Sequence, residues 1–559
     1  MSRIVIWQVF TRLFGNERDG VLRQDGSISE NGCGKLNSYT NDVLRYFKNQ
    51  GATHLWLTGL IAHASKTDYT EYGIPASHPA TVKGNAGSPY AIRDYYDIDP
   101  DLAVSVPKRA QEFNALVKRI HANGLHLIMD FVPNHVAREY HSVKAPKRVT
   151  DLGSADDTSQ AFSAMNNFYY IPSQELAGEH DWKGYTENPA KATGNDKFSA
   201  YPSECDWYET VKLNYGVNYS NGARVFDPRP DTWEKMTDIL LFWARKGVDG
   251  FRCDMAEMVP VDFWHYAIKK VRSKYPDIIF IAEIYNPGAY QSYTEYGGFD
   301  YIYDKVGLYD TLRAITTGKE SATAITRCWQ QTGRCGSRML HFLENHDEQR
   351  IASDFFAGDA LKGRAPMIVS ACMDSCPVMV YAGQELGERG MDAEGFSGTD
   401  GRSTIFDYWR PDTLNRLYNH GKVDGTLLSE KEKSLQTFYS TLLSICQNEK
   451  SIFEGKFFDL MYVNPASPVF NAHKQYAFLR SYQDDLMLIV ANFDDKPALS
   501  SIVIPQHAFD YLELQTMDSC TYTDLLSDNK IQGSLNPDSP VTVNLPASGG
   551  VILKIRKNI

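Results

Sequence analysis

From its first residues to about residue 450 the chain alternates apolar runs of strand length with amphipathic stretches of helix length. Such alternation builds parallel βαβ units, because parallel strands need a long crossover to return the chain to the same edge of the sheet. Eight runs qualify as strands: Ile4 to Phe10, Ala52 to Thr58, Leu125 to Asp130, Val248 to Cys253, Ile278 to Ala282, Tyr301 to Tyr303, Met339 to Leu343 and Val378 to Tyr381. Ile278-Ile279-Phe280-Ile281-Ala282 is apolar throughout, as expected of a strand covered on both faces. Eight parallel strands close a barrel. The competing open, doubly wound sheet carries a Gly-rich phosphate fingerprint at a strand-to-helix turn, and this chain has none. The predicted fold is an α/β (β/α)8 barrel.

Helix signals support the same rhythm. Phe113, Val117 and Ile120 share one face of a helix that stops at Asn123-Gly124. Trp233, Met236, Leu240 and Trp243 line another, with Asp231 as its expected N-cap and Gly247 beyond its end. Two regions break the alternation. From about Val136 to Arg224 the chain is rich in Tyr, Trp, Asn, Gly and Pro, and is too long for an ordinary loop. It is expected to be an inserted subdomain that leaves the carboxyl end of strand three and walls the barrel mouth. After a helix near Glu430 to Cys446, short alternating segments such as Tyr476 to Arg480 and Leu486 to Asn492 predict a C-terminal antiparallel β domain. The expected division is residues 1–135 with 225–450 for the barrel, 136–224 for the insert and 451–559 for the β domain.

A formal charge of -12 without a Lys/Arg cluster argues against nucleic acid or an anionic membrane surface as partner. No run of about 18 apolar residues exists, so no membrane span is expected. The opening Met1-Ser2-Arg3 and the run to Phe10, interrupted by Gln8, read as a strand rather than a signal peptide. The nine cysteines are odd in number, form no C-x-x-C pair and are scattered from Cys33 to Cys520. That usage suits reduced thiols and a cytoplasmic location. Oligomeric state stays open.

Four of the strand ends carry polar clusters: Asp130 to His135, Gly250 to Glu257, Ile281 to Pro287 and Glu344 to Arg350. Active sites of barrels sit at this end of the strands. Arg252 and Asp254 are two apart and point to one face of a strand, where the guanidinium is expected to lower the carboxyl pKa as a nucleophile requires. Glu283 ends the next strand and Asp347 follows a later one. Carboxylates crowded into a partly apolar cleft repel, so one should hold a proton, and Glu283 is the expected acid. An acid beside an ionised carboxylate is the pair that glycosidic cleavage needs. His135 and His346 face the same rim as donors for sugar hydroxyls. An Asp130/Asn134/His135 set can ligate a metal, although hydroxyl binding is the commoner use. Trp182, Tyr185, Trp207, Tyr208 and Tyr215 of the insert offer aromatic faces to sugar rings.

These residues resemble the signatures of the α-amylase superfamily of retaining glycoside hydrolases over nearly the whole chain. Asp130-Phe131-Val132-Pro133-Asn134-His135 is similar to the first signature, Gly250-Phe251-Arg252-Cys253-Asp254 to the second, Ala282-Glu283-Ile284 to the third and Asn345-His346-Asp347 to the fourth. The resemblance implies Asp254 as nucleophile, Glu283 as general acid/base and Asp347 as transition-state stabiliser. It also implies His135, Arg252 and His346 around the bound glucose unit, with Tyr90 as its stacking ring; Asp130 is a substrate-binding candidate from its place at the end of strand three. Val211-Lys212-Leu213-Asn214 resembles the fifth signature of the neopullulanase and cyclomaltodextrinase group. Glu257-Met258 departs from that group's Asn-Glu and from the Lys-His of secreted α-amylases, and Glu257 is expected at the acceptor side. The extra N-terminal domain common in that group is not expected, because the first strand begins almost at Met1.

No cofactor is required by this reading. Calcium is allowed for, with Asn134 as a family ligand, although Met258 stands where a histidine contributes. The segment Asp25 to Asn31 is a second cation candidate, with a solvated turn as the alternative. The expected activity is hydrolysis of α-1,4-glucosidic bonds in α-glucan oligosaccharides with retained configuration. A 4-α-glucanotransferase using the same site and a non-catalytic carbohydrate-binding protein are the alternatives.

Overall fold

The structure is a computed structural model that describes residues 3–390, 396, 398–537 and 539–557. Met1 and Ser2, at the head of the opening run, lie outside the described residues. Eight strands form one sheet: β1 Val5–Phe10, β2 His54–Thr58, β3 His126–Phe131, β4 Gly250–Cys253, β5 Ile279–Ala282, β6 Tyr301–Tyr303, β7 Met339–Leu340 and β8 Val378–Tyr381. All pairings are parallel and follow chain order, and β8 lies beside β1 with Val5 opposite Val378. A parallel bridge from His341 to Val378 closes the ring between β7 and β8. The result is the expected (β/α)8 barrel. β7 is shorter than the run Met339 to Leu343 suggested, because only Met339 and Leu340 pair with β6 before the chain turns toward β8.

Strand periodicity decides what fills the barrel. Ile6, Trp56, Ile128, Ile281, Tyr303, Leu340 and Met379 point inward and pack on one another. Their neighbours Val5, Trp7, Leu55, Leu57, Leu127, Met129, Phe251 and Phe280 point outward into the larger core under the helices. Two residues beyond an inward position is inward again, one layer nearer the carboxyl rim. Gln8, Thr58, Asp130 and Glu283 stand in that relation to Ile6, Trp56, Ile128 and Ile281, and all four are buried. The polar layer above the apolar plug is therefore a consequence of register.

Helix Asp231–Arg245 packs with Trp233, Met236, Leu240 and Trp243 buried, as its spacing predicts. Its N-cap is Pro230 and not Asp231, which is the first helical residue and pairs with Lys235 one turn on at 2.7 Å. An acidic side chain in the first turn still favours the helix dipole.

Between β3 and that helix the chain forms only short antiparallel pairs, His135–Ala137 with Thr210–Lys212, Tyr170–Ile171 with Ala190–Lys191, and Val217–Asn218 with Ala223–Arg224. The buried Arg138–Glu187 pair, 2.7 Å apart, ties its interior. After helix Glu430–Asn448 six strands build an antiparallel sheet and two more, Ala498–Val503 and Pro540–Leu545, pair separately. No helix of the described residues is long and apolar enough to cross a membrane.

Candidate active site

Arg252 organises the rim. Its side chain is fully buried, with one terminal nitrogen 2.8 Å from Asp254 Oδ1 and the other 2.8 Å from Glu283 Oε1. Asp130 Oδ1 and Asp347 Oδ2 lie farther off, at 3.5 and 4.0 Å. Tyr303 receives the guanidinium Nε–H at 3.1 Å. One planar cation thus faces four carboxylates from β3, β4, β5 and the segment after β7, hydrogen-bonding Asp254 through one terminal nitrogen and meeting Glu283 with the other as an ion pair without a hydrogen bond. Glu283 takes two donors, the Tyr285 hydroxyl at 2.7 Å on Oε1 and the Met255 amide at 2.8 Å on Oε2.

Around this core the structure brings together most of the residues singled out in the sequence. Asp130 Oδ2 accepts the Trp56 indole N–H at 2.9 Å, and the Tyr90 hydroxyl reaches Oδ1 at 3.4 Å. His346 stacks on the Tyr90 ring with centroids 5.2 Å apart. Gln8 Nε2 donates to His346 Nδ1 at 2.8 Å, which leaves Nε2 to carry the proton toward Asp347 Oδ2, 3.0 Å away. His135 lies against Trp207 of the insert at 5.3 Å. A cleft of about 380 Å³ opens over these groups, and Tyr90, His135, Trp207, Asp254, Glu283 and Asp347 all line it.

The electrostatics revise one expectation. Burial, then the Glu283 charge, raises the Asp254 carboxyl well above its ordinary range, and Arg252 does not offset this. Burial and Glu283 likewise push Asp347 up to about 7, and burial pushes Asp130 up to about 6. Sequence reasoning expected Arg252 to keep Asp254 low and placed the pressure to protonate on Glu283. In the free site that pressure falls on Asp254 and Asp347, because one guanidinium cannot balance three buried carboxylates and the partly exposed Asp347 beside them. The retained protons belong to the cluster as a whole. Both histidines are pulled toward neutrality by burial, His135 to about 3 and His346 well below its ordinary value.

Glu257 does not line the cleft. Its two oxygens accept the backbone amides of Tyr285 and Asn286 at 3.0 and 3.1 Å, so it braces the segment that follows Glu283.

Asn134 is fully buried and is spoken for on both ends. Its amide nitrogen donates to Gly194 O at 2.7 Å, and its oxygen accepts from Lys212 Nζ. That ammonium also lies 2.6 Å from Asp196 Oδ1 and 3.4 Å from the Met258 carbonyl. Amide, carboxylate and carbonyl oxygens are a donor set suited to Ca²⁺. Here they surround an ammonium, which hydrogen-bonds the amide and carbonyl oxygens and pairs electrostatically with the carboxylate. A divalent ion about 4 Å from the ammonium would meet a repulsion of roughly 8 kcal/mol at an effective dielectric of about 20. The residues present do not fit calcium at this position.

The segment Asp25 to Asn31 is a capped helical turn. Ser27 and Glu30 form a capping box and Asn31 is bonded to the backbone of Arg23, which leaves those oxygens engaged. His63, Asp99 and Asp101 also gather potential ligand atoms. Arg12 faces His63 there, and both Asp101 oxygens accept tyrosine hydroxyls, from Tyr69 at 2.6 Å and Tyr408 at 2.7 Å. This is a saturated hydrogen-bond network.

Sequence reasoning missed Gln8, Trp56, Tyr285 and Tyr303. Gln8 carried a legible signal, a polar residue interrupting an apolar strand; Tyr285 carried a weaker one, two residues past Glu283. The indole and phenol of Trp56 and Tyr303 look like ordinary core in one dimension.

The family described as alpha amylase, catalytic domain, matches residues 8–416. Alpha-amylase 3 of Dictyoglomus thermophilum is 24% identical over 474 residues, covering 81% of this chain and 78% of that protein. Neopullulanase 2 of Thermoactinomyces vulgaris is 23% identical over 509 residues, covering 87% and 69%. Among solved structures, a noncanonic maltogenic alpha-amylase, AmyB, from Thermotoga neapolitana shares the fold with a TM-score of 0.62 at 19% identity over 99% of both chains. The chain belongs to the α-amylase family and is a glycoside hydrolase acting on α-glucans.

Proposed function

We propose that the enzyme hydrolyses α-1,4-glucosidic bonds of maltooligosaccharides by double displacement with retained anomeric configuration. The observation that carries this reading is the single Arg252 guanidinium 2.8 Å from both Asp254 and Glu283. Two carboxyl groups in contact with one planar cation are near neighbours, as direct attack by one carboxylate beside a proton-donating partner requires. Asp254 attacks the anomeric carbon while Glu283 delivers the cluster's proton to the departing oxygen. Asp254 must be ionised at that moment, and its contact with Arg252 favours the anion once the proton sits on Glu283. Water then attacks the glycosyl ester with Glu283 as base. Asp347, with His346 beside it, stabilises the positive charge that develops on the ring. Tyr90 offers its ring face to the glucose unit, and Asp130, His135 and His346 offer polar atoms for its hydroxyls.

The division into a barrel of residues 1–135 and 225–450, an insert of 136–224 and a β domain of 451–559 is part of this proposal, supported by where the short strand pairs and the antiparallel sheet fall. The nine unpaired cysteines, eight of them buried, support a reducing, cytoplasmic setting.

The test is Asp254→Asn with pure maltoheptaose. Release of reducing ends should fall by at least about 10³-fold while oligosaccharide binding, measured by calorimetry, persists. Turnover near that of the parent enzyme would overturn the nucleophile assignment, and products longer than the starting oligosaccharide would reassign the acceptor from water to sugar.

A further inference from the structure

Resting on that reading, we infer that the cleft is closed on the side that holds the non-reducing end, so that the enzyme works from chain ends and not within chains. Direction comes first. The acid protonates the oxygen that leaves, so the leaving part of the chain lies on the side of Glu283, Tyr285 and Met255. The glycone lies on the other side, against Tyr90 and His346. Tyr90 is reached through the segment Lys83 to Pro89, and that segment is stapled to two others.

On one flank, Lys83 of this segment pairs with Glu209 of the insert at 3.0 Å and donates to the Asp206 carbonyl at 3.1 Å. Both side chains are nearly buried and both line the cleft. On the other flank the Ala86 amide donates to the Phe406 carbonyl at 3.0 Å. Buried Arg12 clamps the same junction, with one nitrogen on the Ile405 carbonyl at 3.0 Å and the other on the carbonyls of Ala86 and Gly87 at 2.9 and 3.1 Å. Ile405 and Phe406 line the cleft as well. The insert, the segment after β2 and the segment after β8 thus form one hydrogen-bonded wall beside the glycone. A glucan running onward past Tyr90 would have to break it. Lys83 and Glu209 supply a charged pair facing the last glucose units, suited to their free hydroxyls, including the 4-hydroxyl that only a chain end offers. They are specificity-determining residues.

The experiment compares an aryl α-maltoheptaoside with the same compound carrying a 4,6-O-benzylidene cap on its non-reducing glucose, with products separated by chromatography. The uncapped compound should be shortened from the free end, and the capped one should react at least 100-fold more slowly. Comparable rates on the two would overturn the inference. Failure of the uncapped compound to react would instead count against hydrolysis of maltooligosaccharides, so the two readings fail separately. Lys83→Ala with Glu209→Ala should narrow the gap between capped and uncapped rates by 10-fold or more. An unchanged gap in a folded double variant would assign the closure to residues other than this pair.

Discussion

Replacing Lys212 by methionine tests the claim that an internal ammonium takes the place of a metal ion between barrel and insert. The two side chains have similar length, so packing is largely conserved and the loss is electrostatic. Asn134 Oδ1, fully buried, would lose the one donor it has among the described residues, and a buried acceptor stripped of a charged partner costs about 1.5–3 kcal/mol. The Asp196 carboxylate is about one third exposed, so water replaces part of its lost attraction and adds little to that figure. The expected loss is therefore about 2–3 kcal/mol, felt where His135 joins the insert. Thermal unfolding followed by calorimetry should show a parent enzyme indifferent to EDTA and to millimolar calcium, and a Lys212→Met variant that melts lower. Calcium should restore part of that variant's stability, because removal of the ammonium leaves an amide, a carboxylate and a carbonyl oxygen facing one another. A parent enzyme that loses stability and activity in EDTA and regains both with calcium would refute the reasoning.

Glu385 is fully buried, accepting the Gly383 amide at 2.8 Å and the Tyr46 hydroxyl at 3.2 Å, and burial pushes its pKa up to about 7 from an ordinary 4.5. A raised carboxyl stabilises the fold fully below the ordinary value and loses that contribution as pH rises through 7, a difference worth at most about 3 kcal/mol. Melting of Glu385→Gln should accordingly gain on the parent between pH 5 and 8, and a constant offset across that range would contradict the assignment. Gly84 sits at φ +62°, and a Cβ there would collide with the Phe406 carbonyl. Gly84→Ala should cost about 1–3 kcal/mol in denaturant unfolding and speed reaction of the capped maltoheptaoside, whereas parent-like stability would show that the wall yields freely.

Local chemistry along the chain carried a large share of this architecture. Alternation of apolar strands and amphipathic helices implies a parallel sheet covered on both faces, the missing Gly-rich phosphate fingerprint favours a barrel over an open doubly wound sheet, and period two then turns Asp130, Arg252 and Glu283 inward at the carboxyl ends of their strands. The polar strand ends were legible for the same reason. Boundaries were less so: β7 pairs over two residues because its neighbours, not its own composition, decide where the ladder stops.

What sequence alone offered is the set of acidic, arginine and histidine candidates at the mouth; what only tertiary structure decided is which other groups join them and how they share charge. Arg252 is shared by four carboxylates, a competition invisible when Arg252 and Asp254 are considered as a pair. Lys212 meets Asn134 across 78 positions, Gln8 meets His346 across 338, and Arg12 meets Ile405 across 393. Burial and Coulomb interaction depend on distance in space, and separation along the chain carries no record of it.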